Sequence, residues 1–119
     1  MKSLVVIAHG SRRAQSNEEV GALACALAGL VKEKYPLVGV GFLELAEPLI
    51  PHSLEALIAQ GATEIDVFPY FLSAGRHVVT DVPEEVRSVQ EKYPHIPIRM
   101  TTYLGALPGI TNFIASSLK

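Results

Sequence analysis

SLVVIAHGS, residues 3–11, is an apolar run that stops abruptly at His-Gly-Ser. Leu4 to Ala8 is too short and too uniformly apolar for a surface helix, and it suits a strand buried on both faces. Such a strand belongs at the centre of a parallel sheet with helices above and below. The flanking sequence agrees. The polar loop HGSRRAQ follows, Ser16 and Glu19 have the spacing of a capping box, and Val20, Leu23, Leu27, Leu30 and Val31 recur at helical spacing up to Tyr35-Pro36. A second strand is predicted from Val38 to Leu43. Glu47-Pro48 is predicted to open a second helix, with Pro51 in its first turn, Leu54, Leu57 and Ile58 on one face, and Gly61 as its stop. A third strand, Ile65 to Tyr70, leads through FLSAGRHVVT to Asp81 as helix cap and Pro83 in the first turn, and Val86, Val89 and Tyr93 continue that helix to Pro94. A short fourth strand, Ile98 to Thr102, precedes a last helix with Ile110, Phe113, Ile114 and Leu118 on one stripe. Four strand–helix alternations predict an α/β fold: one flavodoxin- or Rossmann-like three-layer domain over residues 1–119, with a four-stranded, mainly parallel sheet.

Composition narrows the function classes. The chain is 49% hydrophobic and 18% charged with a net charge of −2, so it has the means to bury a core and no global basic field for nucleic acid. An anionic ligand would have to be met locally, and Arg12, Arg13 and Arg76 lie close in sequence to two histidines. The lone cysteine, Cys25, excludes an intramolecular disulfide and suits a reducing cytosol. Its setting in ALACALAGLV predicts a small buried hydrophobe. The N-terminal apolar run is too short for a signal-peptide core and no stretch is long enough to span a bilayer, so a cytoplasmic protein without a membrane partner is expected.

Three side chains able to ligate a metal stand where three strands are predicted to end: His9, Glu44 and His77. Each has an ordinary explanation as well. His9 could satisfy a loop carbonyl, Glu44 could be a helix-entry acid, although Glu47 is better placed for that, and His77 could be solvated. His77, however, sits beside Gly75 and Arg76 in a loop long for a βα connection, and such loops tend to carry function. His52, in a helix first turn, and His95, between two prolines, read as surface histidines. With strands ordered 2-1-3-4, His9 and His77 fall on opposite lips of the crevice at the topological switch point, with Glu44 one strand away. Two imidazoles and a carboxylate there can hold a divalent cation, move protons, or both. Phosphate-loop, dinucleotide, serine-hydrolase and paired-cysteine motifs are absent, and Ala8 stands where a phosphohistidine phosphatase would need arginine.

HGSR at 9–12, GFLELAEP at 41–48 and PYFLSAGRHVVTDVPEEV at 69–86 resemble the short, single-domain sirohydrochlorin chelatases. The resemblance covers nearly the whole chain, and the third segment is its most specific part. It implies a lyase that inserts cobalt, nickel or iron, Co²⁺ foremost, into an isobacteriochlorin, with the metal as substrate and no tightly bound cofactor. His9 and His77 match the paired active-site histidines and Glu44 the glutamate of the FLE segment, as catalytic and metal-contacting groups. Longer members hold two such domains in one chain, which implies a homodimer here. The substrate's carboxylates make Arg12, Arg13 and Arg76 candidate anchors, with Ser11, Ser73 and Gly75 in the same loops. Phe42, Leu43, Phe71 and Leu72 are candidates to face the macrocycle, in competition with core packing. A non-catalytic metal or tetrapyrrole carrier would use the same ligands.

Overall fold

Leu4, Val5, Val6, Ile7 and Ala8 are all buried in the computed structural model, which describes residues 1–119. They form the centre of β1 (Lys2–Ala8), which is hydrogen-bonded on both sides. With β2 (Leu37–Phe42), β3 (Glu64–Pro69) and β4 (Ile98–Met100) it makes a wholly parallel sheet in the order β2-β1-β3-β4. The helices are α1 (Ala14–Val31), α2 (Ile50–Ala59), α3 (Val82–Lys92) and α4 (Ile110–Ser117). The main core lies on one face of the sheet. There Val5, Ile7, Ile65 and Val67 pack with Ile50, Leu54 and Leu57 of α2 and Val82, Val86 and Val89 of α3. Gly61, at φ +107°, ends α2 as expected: its N–H bonds Ile58 O and the next N–H bonds Leu57 O, satisfying two terminal carbonyls.

Several local expectations are corrected. α1 begins at Ala14, before Ser16, and has no side-chain cap, so the Ser16–Glu19 capping box does not form. Asn17 replaces it: its Oδ1 accepts the Ser11 N–H at 2.9 Å and its Nδ2 donates to Ser11 O at 2.7 Å, clipping the loop to the first turn. α2 begins at Ile50 rather than at Glu47-Pro48, because Pro48 O accepts the Phe42 N–H and holds this segment beside the end of β2. Glu47 still serves the helix entry, its Oε1 taking the Leu49 N–H at 3.3 Å. The fourth strand ends at Met100 rather than Thr102.

The other face of the sheet departs furthest from expectation. Ala24 is the only buried residue of α1, and Cys25 is exposed rather than buried. In a helix apolar nearly all round, periodicity does not say which flank meets the sheet. The stripe residues Leu30 (85% exposed), Phe113 (70%) and Leu118 (72%) are open to solvent. Every residue from Thr111 to Lys119 is exposed, so α4 stands off the body of the domain.

At the opposite end of the sheet from the strand C-termini, Tyr35 donates its hydroxyl to Asp66 Oδ2 at 2.5 Å, and Lys2 and Arg99 lie within 3.8 Å of the same carboxylate. Burial, reinforced by this bond to a carboxylate, pushes the Tyr35 phenol up to about 12. A folded-state value above the unfolded one of about 10 favours the native state fully below pH 10, and that contribution disappears as pH rises toward 12. Tyr35→Phe is therefore expected to flatten the stability profile between about pH 10 and 12. Urea midpoints across that window check it, and an unchanged slope would remove Tyr35 as the cause.

Candidate functional site

The parallel ladder between β1 and β2 runs on past both strands. Leu43 N bonds Ala8 O at 2.9 Å and Glu44 N bonds His9 O at 3.0 Å, so the register pairing Ala8 with Phe42 brings His9 and Glu44 side by side. Gly10 makes the approach possible. Its φ is +96°, and a Cβ there would lie 1.8 Å from Glu44 O. Across the switch point, the loop after β3 winds into a π-helical turn, His77–Asp81, which presents His77 to His9. The two imidazole rings meet edge to face with centroids 4.6 Å apart. His9 Nε2 lies 3.3 Å from Glu44 Oε2. The three residues singled out in the sequence therefore converge, each partly open to solvent.

The hydrogen bonds dictate which ring nitrogens are available. His9 Nδ1 is 3.0 Å from Gly10 O, and a carbonyl only accepts, so Nδ1 carries the proton. The loop-carbonyl role foreseen for His9 is thus real, and it points Nε2 at Glu44. An unprotonated Nε2 facing a carboxylate oxygen sets two acceptors against each other, a pair that a proton or metal cation between them would satisfy. His77 is held in the same way through Nδ1, 2.9 Å from Asp81 Oδ2. The side chains are not preassembled as three ligands around one point. A shared ion would draw the half-exposed Glu44 and His77 inward.

The remaining candidates are more scattered. Ser11 is part-buried and structural, its Oγ accepting the Arg13 N–H at 3.0 Å. Arg12, Arg13, Ser73, Gly75 and Arg76 are exposed in the loops after β1 and β3, with Arg13 turned toward Gln15 Oε1 at 2.8 Å. A Cβ at Gly75 would meet nothing within 4 Å. Of the four apolar candidates, Phe42 is buried and Leu43 and Phe71 pack against the core, leaving Leu72 exposed. Leu45 and Val79 are also exposed in these loops and were not foreseen, nor was Asp81 as a partner of His77. The i,i+4 spacing of His77 and Asp81 was the available signal. It was masked by the Asp-x-Pro pattern of a helix start.

The CbiX family model matches residues 3–119. Sirohydrochlorin cobaltochelatase of Methanococcus aeolicus is 41% identical over 86 residues, covering 71% of this chain and 57% of that protein. Sirohydrochlorin ferrochelatase of Priestia megaterium is 36% identical over 100 residues, covering 82% of this chain and 36% of that one. The chain thus spans little more than half, or less, of these relatives. The sirohydrochlorin chelatase SirB from Bacillus subtilis subspecies spizizenii, solved in complex with cobalt, superposes with a TM-score of 0.87 at 30% identity, over 97% of this chain and 48% of that chain.

Proposed function

As the chain belongs to the CbiX family, we propose that it is a sirohydrochlorin chelatase, inserting a divalent metal into the tetrapyrrole with release of two pyrrole protons. The observation that carries this reading is the convergence of His9, Glu44 and His77 at the switch point, with Nδ1 of both imidazoles already engaged. Each Nε2 is then a lone pair able to take a metal aquo-ion or a proton, and the chemistry needs both. The incoming metal would exchange water ligands for Nε2 of His9 and His77, with Glu44 as third ligand or proton relay. As the tetrapyrrole nitrogens take the ion, each freed Nε2 accepts one displaced pyrrole proton, and Glu44 relays protons to solvent. Two histidines and one mobile carboxylate hold the ion weakly enough to release it, which a closed four-ligand cage would not. Arg12, Arg13 and Arg76 meet the substrate carboxylates from the rim, and Leu45, Leu72 and Val79 offer apolar contact to the ring.

Cobalt is the metal we place first, because the cobaltochelatase relative is more alike over its matched region than the ferrochelatase. Ligand chemistry alone does not separate Co²⁺, Ni²⁺ and Fe²⁺. A reducing cytoplasm suits a chain whose one thiol is exposed. Anaerobic absorbance of sirohydrochlorin with each metal is the direct test. Rate acceleration over the protein-free control is expected. Tight metal or pigment binding with background rates would instead establish a carrier.

We further propose that a second copy completes the cleft. The relatives' chains extend well beyond the matched region, and here the face between α1, Tyr70 and α4 is an apolar groove of about 630 Å3 lined by Leu23, Leu107, Ile110 and Phe113. An adjoining apolar groove carries Leu30, and both Leu30 and Phe113 are largely open to solvent, the kind of contiguous apolar surface that marks an interaction site. Sedimentation velocity is expected to give a dimer, and Leu30→Asp with Phe113→Asp a folded monomer. A wild-type chain that stays monomeric at all concentrations would refute the shared cleft.

A further inference from the structure

Asp81 occupies the residue before α3, where an aspartate would ordinarily cap the helix. It does not do so. Its backbone is helical, φ −68° and ψ −46°, and its side chain makes no cap bond. The reason lies in the turn before it. The π-helical turn supplies α3 with carbonyl partners in advance, Val82 N–H bonding His77 O, so the first donor of α3 has no need of a side-chain cap. Freed from that task, the carboxylate reaches one turn back and accepts the His77 Nδ1–H at 2.9 Å. The Nδ1 of His9, by contrast, meets a neutral carbonyl of its own loop.

We propose that Asp81 is a positioning residue for His77: it fixes the Nδ1–H tautomer, aims Nε2 into the crevice, and makes His77 the stronger donor of the pair. A charged acceptor strengthens the bond relative to a carbonyl and polarises the ring toward its free nitrogen. The π-helical turn is the device that makes this geometry available, because it brings His77 and Asp81 together while sparing Asp81 from capping. The consequence for the proposed reaction, on whose reading this part rests, is an unequal pair: both imidazoles take metal and then proton, and His77 binds the arriving ion more firmly than His9.

The test reads tautomer and metal affinity separately from turnover. Long-range 1H–15N spectra of the metal-free protein at about pH 8.5, roughly two units above the ordinary imidazole value, are expected to show His77 as the Nδ1–H form. Asp81→Ala is expected to convert it to a mixture and to weaken Co²⁺ binding about 10- to 100-fold. Asp81→Asn, which keeps an acceptor oxygen, should retain the tautomer and lose less affinity. In turnover, Asp81→Ala should raise KM for the metal more than it lowers kcat. An unchanged tautomer and unchanged Co²⁺ affinity in a folded Asp81→Ala protein would overturn the assignment. A changed tautomer and affinity in a protein whose wild type does not chelate would overturn the chelatase reading and leave the positioning role standing. Should Asp81→Ala fail to fold, the Asn variant decides: loss of the Nδ1–H form in it, or affinity equal to wild type with its acceptor bond broken, would count against the proposal.

Discussion

His77→Ala is expected to lower the rate of metal insertion by about 10²- to 10⁴-fold, the range for removing a positioned proton acceptor, while leaving the fold intact. The ring is half-exposed, and its one side-chain bond is to Asp81, so little packing is lost. The same replacement at His9 should reach a similar floor, with a larger stability cost because its bond to Gly10 O braces the turn. The double variant should be little worse than either single one, since two groups acting on one ion and one pair of protons are not additive. Initial rates of sirohydrochlorin metallation, with thermal unfolding run alongside, check all three. Full activity in His77→Ala would end the metal-delivery assignment. Additive losses would mean the histidines act in separate steps.

Gly10→Ala should be as damaging as loss of a histidine, although Gly10 contributes no side chain. Two effects combine. At φ +96° a Cβ costs about 1–3 kcal/mol in backbone strain. In addition, the new methyl would stand 1.8 Å from Glu44 O, a backbone atom that cannot rotate aside. Relief requires pushing the Glu44 peptide away, which breaks the Glu44 N–H to His9 O bond and parts the two side chains. A marked fall in melting temperature together with near-background metallation is expected. Gly75→Ala supplies the contrast: with nothing within 4 Å of its Cβ, it should melt like the wild type. Equal behaviour of the two alanine variants would show that the close approach at Gly10 is not what assembles the site.

Much of this arrangement was legible in the chain. The apolar run Leu4–Ala8 announced a central strand because burial on both faces leaves no place for polar residues, and the parallel order β2-β1-β3-β4 agrees with the four alternations. His9, Glu44 and His77 were visible because each directly follows a strand or lies in an overlong loop. The outer face was less legible. The spacing of Val20, Leu23, Leu27, Leu30 and Val31 identifies a helix, but it does not say whether its apolar side meets the sheet or solvent, and Leu30 and Cys25 proved exposed. The same holds for Phe113 and Leu118 on α4.

Local pattern alone determined the element types, the sheet's central strand and the three chemical groups at the strand ends, because periodicity, turn residues and side-chain chemistry are properties of neighbouring residues. Tertiary structure decided what those groups could do together. The extended ladder set His9 against Glu44, and the π-helical turn released Asp81 from capping and aimed it at His77. Both depend on hydrogen-bond register between segments or across an irregular turn, and register is set only when the whole sheet and its loops close around one core.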